Sequence, residues 1–173
     1  MVENAPYQET GKIGDLEFRK YPALNVATVR GVPEREAFGF LFRYISGRNR
    51  TRTTVPMTAP VLSSQTIAMT APVLSDGMSM SFVLPASFSR NDLPEPLDAE
   101  VVLEEIPSRD IAVISFRGTA DRETVAAMTL RLKEKLKEHG IEGVGTPFLM
   151  RYNPPFIPGI FRRNEIGIGI RVP

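Results

Sequence analysis

Four aromatic side chains fall within one short stretch, Phe38, Phe40, Phe42 and Tyr44, with Arg35 ahead of them and Arg43 among them. Phenyl rings offer flat apolar surface to another ring system, and guanidinium groups offer paired N–H donors to carboxylates. The set could therefore hold a flat amphipathic anion, its body on the rings and its acid groups on the arginines. A helix simply covered by loops would carry the same aromatics, so residue type alone leaves both readings open.

Other chemistry has less to stand on. The chain has no cysteine, which removes disulfides, zinc ribbons, iron–sulfur clusters, thiol catalysis and covalent haem attachment. His139 is the only histidine, too few for mechanisms that need two imidazoles. It sits in KEHG at the expected end of a helix, where a cation complements the dipole. Arg48, Arg50 and Arg52 could grip phosphate, but a solvated loop is the simpler reading. Glu104, Glu105 and the carboxylates at 92, 95, 98 and 100 show no convergence and read as surface. There is no phosphate-binding glycine loop, no Gly-x-Ser-x-Gly elbow and no zincin motif. The expectation is a binding protein without catalytic residues, not an enzyme.

At 173 residues the chain has the size of one domain, and 42% hydrophobic against 24% charged residues is the balance of a globular core. Its 21 Lys and Arg against 20 Asp and Glu give a net charge of +1, so no overall field favours nucleic acid as a partner. The start, MVENAPYQETGK, has no signal-peptide pattern, and no run reaches the roughly 18 apolar residues of a membrane span. A soluble, unexported, cytoplasmic protein is expected.

The elements that must position the aromatic stretch can be read from periodicity. Residues 1–12 read as a polar, mobile leader to a single domain over 1–173, whose ordered core runs over 14–172. LEFRKY alternates as a strand, Pro22-Ala23 turns, and LNVATVRG forms a second strand. Pro33, Glu34 and Glu36 then open a helix over 34–46, stopped by Gly47. The same order returns downstream, with Ile106-Pro107 matching Tyr21-Pro22 and Arg117-Gly118 matching Arg30-Gly31, ahead of a second helix. The chain thus reads as two diverged copies of a strand–strand–helix unit. Val125, Met128, Leu132 and Leu136 give the second helix a face to pack on a sheet.

Met78 to Leu84 alternate as a strand, residues 86–98 read as loop, and FLMRY and EIGIGIRV supply the last strands. In the latter, Gly167 and Gly169 share one face, which admits a neighbouring backbone or a flat ligand, backbone crowding being the simpler account. Met57 to Val61 and Met69 to Val73 both read MTAPV. On physical grounds the pair is structural, with Pro56, Pro60 and Pro72 shaping irregular strands and Met57 and Met69 supplying adaptable apolar surface.

Three ordered motifs, AFGFLFRYISGRN from Ala37 to Asn49, the two MTAPV segments, and YNPPFIPGIFRRNEI from Tyr152 to Ile166, resemble the SOUL haem-binding proteins over nearly the whole chain. The resemblance implies an α+β fold, two pseudo-symmetric repeats forming a distorted antiparallel β-barrel or curved sheet with two packed helices. It implies noncovalent binding of haem or a related tetrapyrrole in an apolar pocket beside the first helix, as a carrier or buffer. Arg35, Phe38 and Phe42 match pocket positions, Tyr152 matches more weakly, and Arg43 is a further partner for the propionates. Gly167 stands where many relatives have tryptophan, and no histidine lies in the first helix, so the axial ligand is unassigned. Two other readings stand beside it. One is a small-molecule sensor, since the twofold plan is similar to the effector-binding domains of certain bacterial regulators. The other is a module that docks a protein partner through the aromatic helix.

Overall fold

Two prolyl links decide the topology. Pro22 and Ala23 separate β3 (Leu16–Tyr21) from β4 (Leu24–Arg30), and Pro107 and Ser108 separate β9 (Val102–Ile106) from β10 (Arg109–Arg117). A residue before proline stays extended and the proline lacks an N–H, so neither link makes a tight hairpin. Instead β3 pairs antiparallel with β10, and β4 pairs antiparallel with β9. Each unit lends its first strand to the other.

The structure, a computed structural model, describes residues 3–51, 66, 67, 69–153 and 156–172. Ahead of β3 lie β1 (Glu3–Asn4) and β2 (Gln8–Ile13). The first unit continues through α1 (Glu34–Ile45), β5 (Asn49–Arg50), β6 (Thr70–Ser75), β7 (Ser79–Val83) and β8 (Glu95–Pro96). The second adds α2 (Arg122–Glu138), β11 (Gly143–Arg151) and β12 (Arg163–Ile170). The main sheet runs β2-β3-β10-β12-β11-β6-β7-β4-β9, with β1 parallel to β6. From β3 to β9 this order is unchanged when the units are exchanged, so a pseudo-twofold axis passes between β11 and β6.

The sheet is strongly curved but not closed into a barrel. Val26 of β4 and Ile111 of β10 stand far apart in the strand order, yet both belong to one buried cluster with Tyr21, Leu74, Val83 and Met150. The helix-free face is therefore concave. On the convex face α1 covers Ala27, Val29, Met80 and Phe82, while α2 covers Leu16, Ala112, Ile114, Leu149 and Ile166. Strand alternation divides the faces residue by residue, Ala27 outward between Val26 and Thr28 inward. The expected apolar face of α2 packs as read, with Leu132 and Leu136 buried and Val125 and Met128 beside them.

Two expectations are corrected. The expected leader over 1–12 is, from residue 3 on, not merely a leader: β2 extends the sheet beside β3, and Ala5 is buried, its N–H donating to the Ala71 carbonyl at 2.7 Å. An edge strand with polar residues on both faces has no apolar period to betray it. The short prolyl links are not hairpin turns, for the reason above. The 86–98 loop holds only the two-residue β8, paired with β5. The first MTAPV segment lies outside the described residues. The second forms the start of β6, with a cis Ala71–Pro72 bond where the β6–β7 register shifts between Thr70 and Val73.

The glycine face of β12 is explained by crowding. A Cβ on Gly169 would come within 2.9 Å of the Val144 carbonyl oxygen, and one on Gly167 within 2.9 Å of the Phe148 ring. Both neighbours belong to β11, whose register shifts between Val144 and Phe148.

Candidate ligand-binding surface

Helix α1 buries Ala37, Leu41, Tyr44 and Ile45. Alternate spacing of the aromatics on a 100° helical step sends each to a different side. Tyr44 points inward, its hydroxyl donating to the Pro94 carbonyl at 2.7 Å, while Asn49 Nδ2 donates to the Tyr44 carbonyl at 2.8 Å. Tyr44 is thus an anchor for the following chain, not ligand surface. Phe38 lies on the flank, edge-on to Phe82 with ring centroids 5.3 Å apart. Phe42 follows one turn later, its ring 6.1 Å from Phe38 and inclined by only 14°. Phe42 is 50% exposed.

Arg35 continues the same stripe toward the helix start, three residues before Phe38 and seven before Phe42. It is exposed and makes no ion pair among the described residues. Arg43 lies further round, folded over Gly39, with its guanidinium 4.9 Å from the Phe40 ring centroid. The structure therefore brings Arg35, Phe38 and Phe42 together, with Arg43 beyond them on the outer side. It does not bring Tyr152 to them. Tyr152 packs with the Tyr21 and Met150 cluster of the concave face, under the Arg163 guanidinium at 4.6 Å.

That concave face holds the strongest electrostatics, none of which the sequence reading found. Arg19 Nη1 and Nη2 donate to the two carboxylate oxygens of Glu165 at 2.8 and 2.5 Å, and both side chains are fully buried. Glu17 accepts from Arg19 Nε at 2.6 Å, and Ser115 and Arg163 also donate to Glu165. Burial, the largest single influence, would raise the Glu165 carboxyl, but the hydrogen bonds from Arg19 and the charges of Arg19 and Arg163 together outweigh it and hold it below the usual carboxylate range. Burial first, then the Glu165 charge, push the Tyr152 phenol far above its ordinary value. The Tyr152 hydroxyl feels that charge without forming a hydrogen bond of acceptable geometry. Only a long-range partner makes a strand arginine a core residue, and no local pattern signals it.

Two clefts complete the picture. A groove of about 560 Å³ runs between the helices on the convex face, floored by Ala37, Met80, Leu149 and Ile166, with Arg122 and Lys133 from α2. Arg151 at its edge pairs with Glu34 at 2.7 Å. A smaller cleft of about 270 Å³ opens on the concave side between β4, β7, β9 and β11.

The donor set at the α1 stripe suits the body and acid groups of a tetrapyrrole, since it offers rings and guanidinium groups. None of Arg35, Phe38, Phe42 and Arg43 is an axial ligand for iron. His139 caps the far end of α2, and no group of three or more His, Cys, Asp or Glu converges for a metal among the described residues.

By its fold the chain is a two-repeat α+β domain with paired helices on a curved sheet. It is similar to the crystal structure of the EcmrR C-terminal domain, with a TM-score of 0.60, 15% identity, and coverage of 95% of this chain and 98% of that one. It is also similar to a hydrolase from Listeria innocua, with a TM-score of 0.56, 10% identity, and coverage of 91% and 92%. At such identities the likeness is one of fold alone. The model of the SOUL heme-binding protein family matches residues 2–169, and the chain belongs to that family. Human heme-binding protein 2 is 29% identical over 169 residues, 94% of this chain and 81% of the relative.

Proposed function

We propose that the protein binds haem or a related tetrapyrrole noncovalently on the outer flank of α1, as a carrier or buffer without catalysis. The observation that carries this reading is the nearly parallel Phe38 and Phe42 pair, half-open at Phe42 and continuous with Arg35, which is unpaired among the described residues. Family membership supports the ligand class. Phe38, braced by Phe82, supplies a fixed apolar edge, and Phe42 supplies the surface that loses water on contact. Arg35 pairs with a propionate, and Arg43 takes a second by leaving the Phe40 ring. When bound, haem supplies its iron chemistry, while these residues bind and orient the ring. Because they offer no axial ligand, affinity comes from burial and charge.

A haem titration followed by Soret absorption tests the assignment. A saturable one-to-one change, weakened in both Arg35→Ala and Phe42→Ala, is the expected result. Unchanged affinity in both variants would overturn the site. A nonsaturating change that ignores both would leave the aromatic flank as a docking face for another protein.

A further inference from the structure

Arg109 begins β10, opposite Tyr21 of β3, and turns into the cleft on the concave side of the sheet. Its guanidinium lies 4.6 Å from the centroid of the Phe148 ring. It makes no ion pair or side-chain hydrogen bond among the described residues. Burial works against its charge, and no carboxylate compensates. The acids that line the same cleft are already engaged. Glu104 accepts from both Nη atoms of Arg30 at 2.5 and 2.7 Å. Asp76 Oδ1 accepts from the N–H groups of Met78 and Ser79 and from the Ser79 hydroxyl. Among the described residues, Arg109 is the cleft's one cation without a counter-charge.

The packing that holds it is built into neighbouring strands. Gly167 has no side chain, so the Phe148 ring lies against it, and Arg109 rests in turn on that ring. Stacking fixes the plane of a guanidinium and leaves its N–H edges open to an acceptor. Beyond the guanidinium the cleft is walled by Val26, Leu74 and Ile106, with Thr146 at its rim and the Ser81 hydroxyl shared with Thr28 at 2.7 Å.

We propose that this cleft is a second ligand site, for a small monocarboxylate with an apolar body, held bidentately by Arg109. The guanidinium fork matches one carboxylate. A dianion would meet Asp76 and Glu104, so a single negative charge is favoured. The volume of about 270 Å³ holds on the order of nine waters, the size of a ligand of about ten heavy atoms. A tetrapyrrole is much larger, and α1 lies on the other face of the sheet, so this site is independent of the haem reading.

The test uses hexanoate and benzoate as probes, with hexylamine and benzylamine as controls of like size. Binding to the full chain is followed by amide NMR shifts and by thermal melting. The acids are expected to bind saturably, to shift amides of Phe148, Ser81 and Arg109, and to raise Tm, while the amines do neither. Arg109→Gln should weaken acid binding by roughly tenfold or more, the scale of one lost charge-assisted hydrogen bond. Its ligand-free Tm should fall only slightly, since the stack on Phe148 is lost but no native ion pair is. Arg109→Lys should retain binding at reduced affinity, because the charge stays and the fork is gone. Equal response to acids and amines would overturn the proposal, as would no saturable response to either acid. Unchanged acid affinity in Arg109→Gln would do the same. The comparison of acid with amine on the unaltered chain decides even if a variant does not fold. Arg35→Ala serves as a control that leaves acid binding intact while it tests the haem reading.

Discussion

Arg19 and Glu165 meet over β10, the strand that separates theirs, and form a fully buried bidentate pair. Such a pair is weak evidence of net stabilisation, because two charges leave water to make it. Breaking it is another matter. Glu165→Ala strands the buried Arg19 beside a cavity, and is expected to cost about 3–5 kcal/mol in chemical denaturation. A loss below about 1 kcal/mol would mean that Glu17 alone satisfies Arg19.

The same carboxylate makes the fold sensitive to acid. Its folded-state pKa lies below that of the unfolded chain, so the unfolded state binds more protons in acid, and stability rises with pH there. The contribution is complete above the unfolded glutamate value, about 4.3, and is lost as pH falls through the folded value. Denaturation midpoints of the wild type should therefore drop more steeply below about pH 4.5 than those of Glu165→Gln. Parallel curves would show that the pair does not titrate with folding.

Phe42 and Tyr44 are predicted to separate binding from stability. Phe42 is half in water, so Phe42→Ala should change the denaturation free energy by about 1 kcal/mol or less while weakening haem. Tyr44→Phe leaves the buried Pro94 carbonyl without its donor and should cost about 1–3 kcal/mol without altering haem affinity. A Soret titration beside a urea curve reads both quantities, and the reverse pattern would move ligand contact inward.

The β12 glycines provide a third contrast. At Gly169 a Cβ would press on backbone, the Val144 carbonyl, whereas at Gly167 it would press on the tips of Phe148 and Met150. Side-chain tips yield more readily than backbone. Gly169→Ala should lower Tm more than Gly167→Ala. The latter should tilt Phe148 and, with it, the support of Arg109, which a weaker amide response to benzoate would report.

Much of this architecture was legible in the residues. Helix α1 ends at Ile45 against an expected 46, and the paired Arg-Gly and prolyl landmarks mark the two units in the sequence itself. The α1 aromatics were found, but periodicity could not tell that Tyr44 turns inward to Pro94 while Phe42 stays half in water. Strand alternation correctly grouped Glu17, Arg19 and Tyr21 on one side of β3. It could not say that this charged side is the buried one, since the partner Glu165 lies in the last strand of the chain. For the same reason the exchange of first strands was hidden: local sequence specifies an extended segment, and only the global fold chooses its neighbour.

That exchange also governs the order in which the molecule can be assembled. During synthesis β3 and β4 emerge early, yet β3 has only β2 beside it until β10 arrives, and β4 finds β9 just before then. Chain made to the end of α1 therefore exposes edges of β3 and β4 whose native partners β7, β9 and β10 are still to come. Although β4, β7 and β6 can pair within the first half, the exchanged pairings of β3 with β10 and β4 with β9 close late, which favours slow folding and leaves nascent chains open to edge-to-edge association. A polypeptide cut between the units would carry the same dependence into solution, each fragment a half-sheet waiting for the strand the other holds.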